Sequence, residues 1–275
     1  MDLLDAIILG IVEGLTEFLP ISSTGHLTIA EHMLGLPIDD PAVTAFTVVI
    51  QSGAILAVIL YFRRDIWAII RAFFRGIGDP SVRGSLDYRM GWYVIVGSIP
   101  IVVVGVAGES LVTGPLRNLW WVAGGLIGWS VVMVAAERVA TQRRHEPDLT
   151  MRDSVIIGVV QCVALIPGVS RSGATISAGL FRGLDRVTAT RISFFLSIPA
   201  LVGAGLKELP SALGGDIPVG STIVATVVSF VVAYATVAWL LRFVAGHPIT
   251  WFVLYRVALG LLLVVLLATG TVAAT

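Results

Sequence analysis

The sequence predicts an all-α, polytopic membrane protein built as an inverted-topology repeat, with six spanning helices and two re-entrant helical hairpins. Three observations carry that expectation. Composition comes first: of 275 residues 56% are hydrophobic and only 13% charged, with a mean hydropathy of +0.93, well outside the range of soluble domains. The second is a set of apolar runs at 42–62, 91–108, 119–136, 188–206, 219–241 and 251–270, each close to the roughly 20 helical residues that cross a bilayer core. The third is internal similarity. Shifted by 148 positions, the chain matches itself without gaps at Asp5/Asp153, Gly10/Gly158, Ser22/Ser170, Gly25/Gly173, Gly35/Gly183 and Phe46/Phe194, among others, a coincidence that chance does not produce over so long a stretch.

Repeat 1 covers about 1–62 and repeat 2 about 149–206, and the whole chain, 1–275, reads as a single membrane domain because no window between the runs is long and polar enough for a soluble one. Asp2 and Asp5 stand where a secretory signal would be basic, and no small-residue cleavage site follows. Residues 1–20 are therefore expected to be retained structure. The formal net charge is zero, and the single cysteine, Cys162, excludes an intramolecular disulfide. No nucleic-acid partner is expected.

Charge placement orients the spans, because Lys and Arg accumulate in cytoplasmic loops. Residues 1–62 contain neither, whereas the loop at 63–89 holds six arginines and the loop at 137–152 four more. Both loops are expected inside, and 109–118 and 207–218, with one basic residue each, outside. With those assignments the segments 1–36 and 153–184 begin and end on the same side. Each is expected to be a half-helix, a break and a second half-helix. The breaks are legible as "LPISSTGH" and "IPGVSRSG", where proline ends one half-helix and a serine or threonine caps the next. Irregular backbone at membrane depth survives only where protein encloses it or a wet cavity adjoins it. Three spans separate the equivalent segments, so the second copy enters from the opposite face, and the two breaks are expected to meet near the midplane and form the site.

Two half-helix N-termini converging there present unpaired N–H groups and positive dipole ends, an anion site suited to phosphate. Arg171 can donate to phosphate oxygens in a bidentate manner, with Ser22, Thr24, Ser170, Ser172 and Thr175 as hydroxyl donors. The structural alternative is an arginine paired with a glutamate to tie the repeats together, the hydroxyls serving as caps. Glu13 and Glu17, four apart, share one helix face. Beside phosphate they need a proton or a metal between them: either a hard divalent cation, Mg²⁺ or Ca²⁺, on both carboxylates, or one glutamate keeping a proton as general acid or base. His26 follows the first break and can take a proton, give one or attack phosphorus itself. In the favoured route Ser23 (or Ser22) is the nucleophile with His26, three residues after Ser23, as its base; in the other water attacks, activated by Glu17 or by a metal on Glu13 and Glu17. His32, Asp39 and Asp40 mark the exit toward the outer interface, and most of the tryptophans fall at span ends as interfacial belt residues.

"EGLTEFLPISSTGH" and "PGVSRSGAT" closely resemble the two signature motifs of the bacterial undecaprenyl-diphosphate phosphatases of the bacitracin-resistance type, and the resemblance covers nearly the whole chain. It implies hydrolysis of undecaprenyl diphosphate to undecaprenyl phosphate and inorganic phosphate, which recycles the lipid carrier of peptidoglycan synthesis and confers bacitracin resistance. It places the important roles on Glu13, Glu17, Ser23, His26, Ser170, Arg171 and Thr175. It further implies dependence on divalent cations, a polyprenyl diphosphate lipid as partner, and a bacterial plasma-membrane location with the site open to the external face; it leaves room for a homo-oligomer. The rival expectation is a transporter or flippase of a polyprenyl phosphate lipid, since inverted repeats with broken helices are common among carriers. Against it, the chemistry is one-sided: the repeat sets Glu13 against Gln161, Glu17 against Leu165 and His26 against Ala174.

Overall fold

The computed structural model describes the chain except residues 38–39, 109, 111–113, 115, 117, 215–216 and 275, and the side chains of 211–214. It is 81% helical and, among the described residues, without a strand. In chain order the helices are α1 (Leu3–Thr16), α2 (Ser23–Met33), α3 (Pro41–Tyr61), α4 (Arg63–Gly78), α5 (Leu86–Ala107), α6 (Leu119–Val139), α7 (Met151–Gln161), α8 (Arg171–Phe181), α9 (Arg186–Gly214), α10 (Val219–Gly246) and α11 (Trp251–Ala268). Six of them, α3, α5, α6, α9, α10 and α11, are long and apolar enough to cross a membrane, and they coincide with the six runs read from the sequence. Of the residues expected to mark the outer exit, Asp40 caps the N-terminus of α3; Asp39 lies outside the described residues, as does part of the loop at 109–118.

The stretch at 63–89, expected as a loop, is largely helical. Trp67, Ile70, Phe74 and Ile77 form an exposed apolar stripe on α4, while Ile66 and Ile69 pack on the core and Arg64, Arg71 and Arg75 stand on a third face. A basic, amphipathic helix of this kind suits the interface plane rather than a crossing.

The two interrupted segments α1–α2 and α7–α8 dock on different spans. Gly10 of α1 faces the backbone of α10, where an added Cβ would stand 2.6 Å from the Ala225 carbonyl oxygen. Its repeat counterpart Gly158, on α7, faces the Gly97 carbonyl of α5 more closely still, an added Cβ standing 2.0 Å from that oxygen. Small residues at such crossings let helix backbones approach where lipid offers no hydrophobic drive. At the turn after α2, Leu34 and Leu36 pack, as Met1 and Ile217 do, against the cluster of Ala6, Leu9, Leu27, Phe46, Ile50 and Ala225. The turn after α8 is held by Arg144, whose N–H donates to the Gly183 carbonyl (3.1 Å) and whose carbonyl accepts from Asp185.

That second turn belongs to an ion-pair network. The Arg144 guanidinium bonds the wholly buried Asp153 and the Asp148 and Arg182 carbonyls, Arg182 reaches Asp153 at 2.8 Å, and Arg186 pairs with Glu137. Arg191 joins Glu146 and Asp65. Arginine-rich loops distant in sequence thus meet at one end of the bundle. Burial alone would push the Asp185 carboxyl up, but hydrogen bonds from Thr188 and His145 outweigh it and hold the group below the usual carboxylate range. Its contribution is therefore present above the unfolded-state value and is lost as pH falls through the lower folded-state one. Replacing Arg144 by Met should destabilise the protein by roughly 1.5–3 kcal/mol, the range for a hydrogen bond to a charged group, since Arg182 still pairs with Asp153. Thermal unfolding in detergent against Arg138→Met, an exposed arginine, checks this.

Candidate active site

The first half-helix stops before its proline: α1 ends at Thr16, Glu17 caps it, and the chain turns through Pro20. Ser22 then caps α2 with φ 76°, its Oγ accepting from the Gly25 N–H. The second break repeats this backbone. After a short 3₁₀ turn at Cys162–Leu165, Ser170 caps α8 with φ 74° and accepts from the Gly173 N–H at 3.1 Å. Positive φ at a non-glycine residue is costly and persists only where surroundings impose it, often at functional sites. Here it aims two helix N-termini into one region.

The two breaks are tied together directly. Ser22 Oγ also accepts from the Gly168 N–H at 3.2 Å, and Ser172 Oγ donates to the Leu19 carbonyl at 2.9 Å. A larger contribution comes from Arg256, wholly buried on α11. Its guanidinium donates to the Pro20 carbonyl in the first break (3.0 Å), to Gly168 (2.9 Å) and Val169 (3.1 Å) in the second, and to Gly125 and Ser130 on α6. A planar fork that meets several carbonyls at once satisfies turn backbone that no helix can satisfy. Sequence reasoning missed Arg256. Its signal was present: it is the only charged residue in the run 251–270, and an ionisable group at such depth is a functional candidate by default.

At the junction, Glu17 links both breaks. Its Oε2 accepts from Ser23 Oγ at 2.5 Å and its Oε1 from Arg171 Nη2 at 3.0 Å. Arg171 Nη1 is buried without a partner, as are both carboxylate oxygens of Glu13. The arginine cation also lies 5.8 Å from the Phe18 ring centre.

His26 is placed otherwise than expected. Its Nδ1 lies 2.7 Å from the Ser22 carbonyl and so carries the proton, and its Nε2 accepts from the Tyr255 hydroxyl at 2.6 Å. Tyr255, stacked on the imidazole, was not anticipated. The pairing expected between Ser23 and His26 is absent, because the turn at 17–22 carries Glu17 back over Ser23 and leaves the histidine facing α11.

A cavity of about 540 Å³ opens beside this junction, lined at its polar part by Glu17, Ser22, Ser23, Thr24, Ser170 and Arg171. Apolar side chains such as Val48, Ile101, Val106, Leu165 and Leu201 line the remainder, with Lys207 and Glu208. Two expected phosphate donors do not line it. Ser172 is committed to Leu19, and Thr175 donates within its helix to the Arg171 carbonyl and meets Ser193 Oγ at 2.6 Å; both hydroxyls hold the fold of the break. For a divalent cation, the donor chemistry fits in part. Glu13 brings two unsatisfied buried oxygens beside Glu17, but no group of three or more His, Cys, Asp or Glu is arranged to hold a metal ion among the described residues, so the remaining ligands would have to be substrate or water oxygens.

A family model described as bacitracin resistance protein BacA matches residues 6–262. The chain belongs to that family. Among its curated relatives, undecaprenyl-diphosphatase 3 of Frankia casuarinae is 57% identical over the full length of both chains. The undecaprenyl-diphosphatase of Acidothermus cellulolyticus is 55% identical over 99% of each, and undecaprenyl-diphosphatase 1 of Streptomyces coelicolor 54% identical over 96% of each. The matched residues take in both breaks and Arg256.

Proposed function

We propose that this membrane protein hydrolyses undecaprenyl diphosphate to undecaprenyl phosphate and inorganic phosphate, returning the lipid carrier to peptidoglycan synthesis and so opposing bacitracin. The observation that carries this reading is the Ser23–Glu17–Arg171 chain set at two helix N-termini on the polar side of an otherwise apolar cavity. The names of full-length relatives favour hydrolysis over transport.

The terminal phosphate sits at the N-termini of α2 and α8, its charge met by the helix dipoles and by Arg171 Nη1. Ser23 Oγ attacks phosphorus while its proton passes to Glu17, the carboxylate it already bonds. The bond from phosphorus to the bridging oxygen breaks, undecaprenyl phosphate leaves with the electron pair, and water then hydrolyses the phosphoserine, returning the proton and releasing phosphate. A Mg²⁺ or Ca²⁺, if bound, would be held by Glu13 and Glu17 and would supply positive charge that offsets the phosphate.

The two broken segments form an inverted repeat whose hairpins enter the plasma membrane from opposite faces, a reading supported by Gly35 and Gly183 closing turns at separate groups of loops. The lack of basic residues in 1–62 supports a site open to the external face. Purified protein given a polyprenyl diphosphate should release one phosphate per lipid and stop releasing it in EDTA. Lipid translocation in vesicles without phosphate release would instead establish a transporter.

A further inference from the structure

Gln161 is the last residue of α7 and occupies, in the second repeat, the position of Glu13 in the first. It lines the cavity that holds Glu17, Ser23 and Arg171. Its side chain is wholly buried, and neither Oε1 nor Nε2 has a hydrogen-bond partner. Folding removes this amide from water and gives nothing back, a state that native proteins avoid unless something outside the chain supplies the partner.

The chemistry of that partner follows from the remaining polar groups. The helix N-termini and Arg171 Nη1 suffice for one phosphate, yet a diphosphate carries a second, one bridging oxygen away. That phosphate becomes the leaving group and stays on the lipid. An N–H donor without charge suits it, because it holds the oxygens without binding the anionic product as tightly as a cation would. A carboxylate at this position, as in the first repeat, would repel it.

We infer that Gln161 is a specificity-determining residue that holds the lipid-proximal phosphate of the diphosphate. The inference rests on the proposed substrate class but can be tested without the lipid. The probes are methylenediphosphonate, which spans both phosphate positions and cannot be hydrolysed, and inorganic phosphate, which fills one. Their binding to the full protein in nanodiscs is measured by calorimetry for wild type, Gln161→Leu and Gln161→Glu, with unfolding temperatures taken without ligand.

Loss of one hydrogen bond to a charged group should weaken methylenediphosphonate about tenfold to a hundredfold in Gln161→Leu, and further in Gln161→Glu. Inorganic phosphate should bind all three within about twofold, being held by other groups. Without ligand Gln161→Leu should unfold no lower than wild type, because an unpaired amide has been replaced by an apolar side chain of similar size. With polyprenyl diphosphate the loss should appear in KM more than in kcat. Equal binding of methylenediphosphonate by wild type and Gln161→Leu, parallel weakening of both probes, or a lower unfolding temperature of Gln161→Leu would each overturn the assignment. Failure of wild type to release phosphate from the lipid, with the difference between probes intact, would instead count against the proposed reaction alone.

Discussion

Arg171→Lys should slow phosphate release about 10²–10³-fold, the loss typical of removing one preorganised donor from a developing charge, while the protein stays folded. The guanidinium does two things at once: Nη2 holds Glu17 at 3.0 Å and Nη1 stays buried and unpartnered, free for phosphate. Lysine keeps the charge but places it at one point, so it can serve the carboxylate or the substrate and not both in the same geometry. Because Glu17 also accepts from Ser23, losing the fork should loosen the reacting hydroxyl as well. Rates and unfolding temperatures on the same preparation check this. If Arg171→Lys keeps most of its activity, joining Glu17 and phosphate through one fork is not what the residue provides.

Arg256→Met should be the most damaging substitution away from the reacting atoms. It leaves the Pro20, Gly125, Gly168 and Val169 carbonyls without the donor that joins them. Each buried acceptor deprived of its donor costs about 1–3 kcal/mol, though the losses are not additive. The breaks should then separate, since Pro20 belongs to one and Gly168 and Val169 to the other. Thermal unfolding should drop steeply, and activity with it even below the unfolding transition. Arg256→Lys should recover part of the stability, reaching some carbonyls but not all. Wild-type stability in Arg256→Met would mean that the direct contacts between Ser22 and Gly168 and between Ser172 and Leu19 hold the breaks unaided.

What was legible in the sequence, and what was not, divides along physical lines. The six spans were readable because length and apolarity are local properties, and a serine or threonine cap after each proline because capping is decided within one helical turn; that Ser22 and Ser170 are the capping residues is seen in the fold. Helix α4 was readable but unread: Trp67, Ile70, Phe74 and Ile77 recur at helical spacing inside a stretch dominated by its arginines. The partners of the site residues were beyond local reading. Spacing on a helix suggested His26 for Ser23, but Glu17 lies before a turn whose path only the folded chain fixes. Ser172 and Thr175 looked equivalent to Ser170 as donors until packing assigned their hydroxyls to Leu19, Arg171 and Ser193. Arg256 stands 236 residues from Pro20, and no motif announces a clamp of that span.

The central claim is that Ser23, bonded to Glu17 where the breaks meet, takes the phosphoryl group. Rapid quenching of the protein with polyprenyl diphosphate labelled in its terminal phosphate tests it most directly. Wild type should yield an acid-stable phosphoserine within the first turnover. Ser23→Ala should yield none and little turnover. Glu17→Gln, which keeps the hydroxyl but loses its base, should form the species about 10²–10⁴ times more slowly. If wild type never yields it and Ser23→Ala still turns over substantially, water attacks directly and Ser23 only holds phosphate.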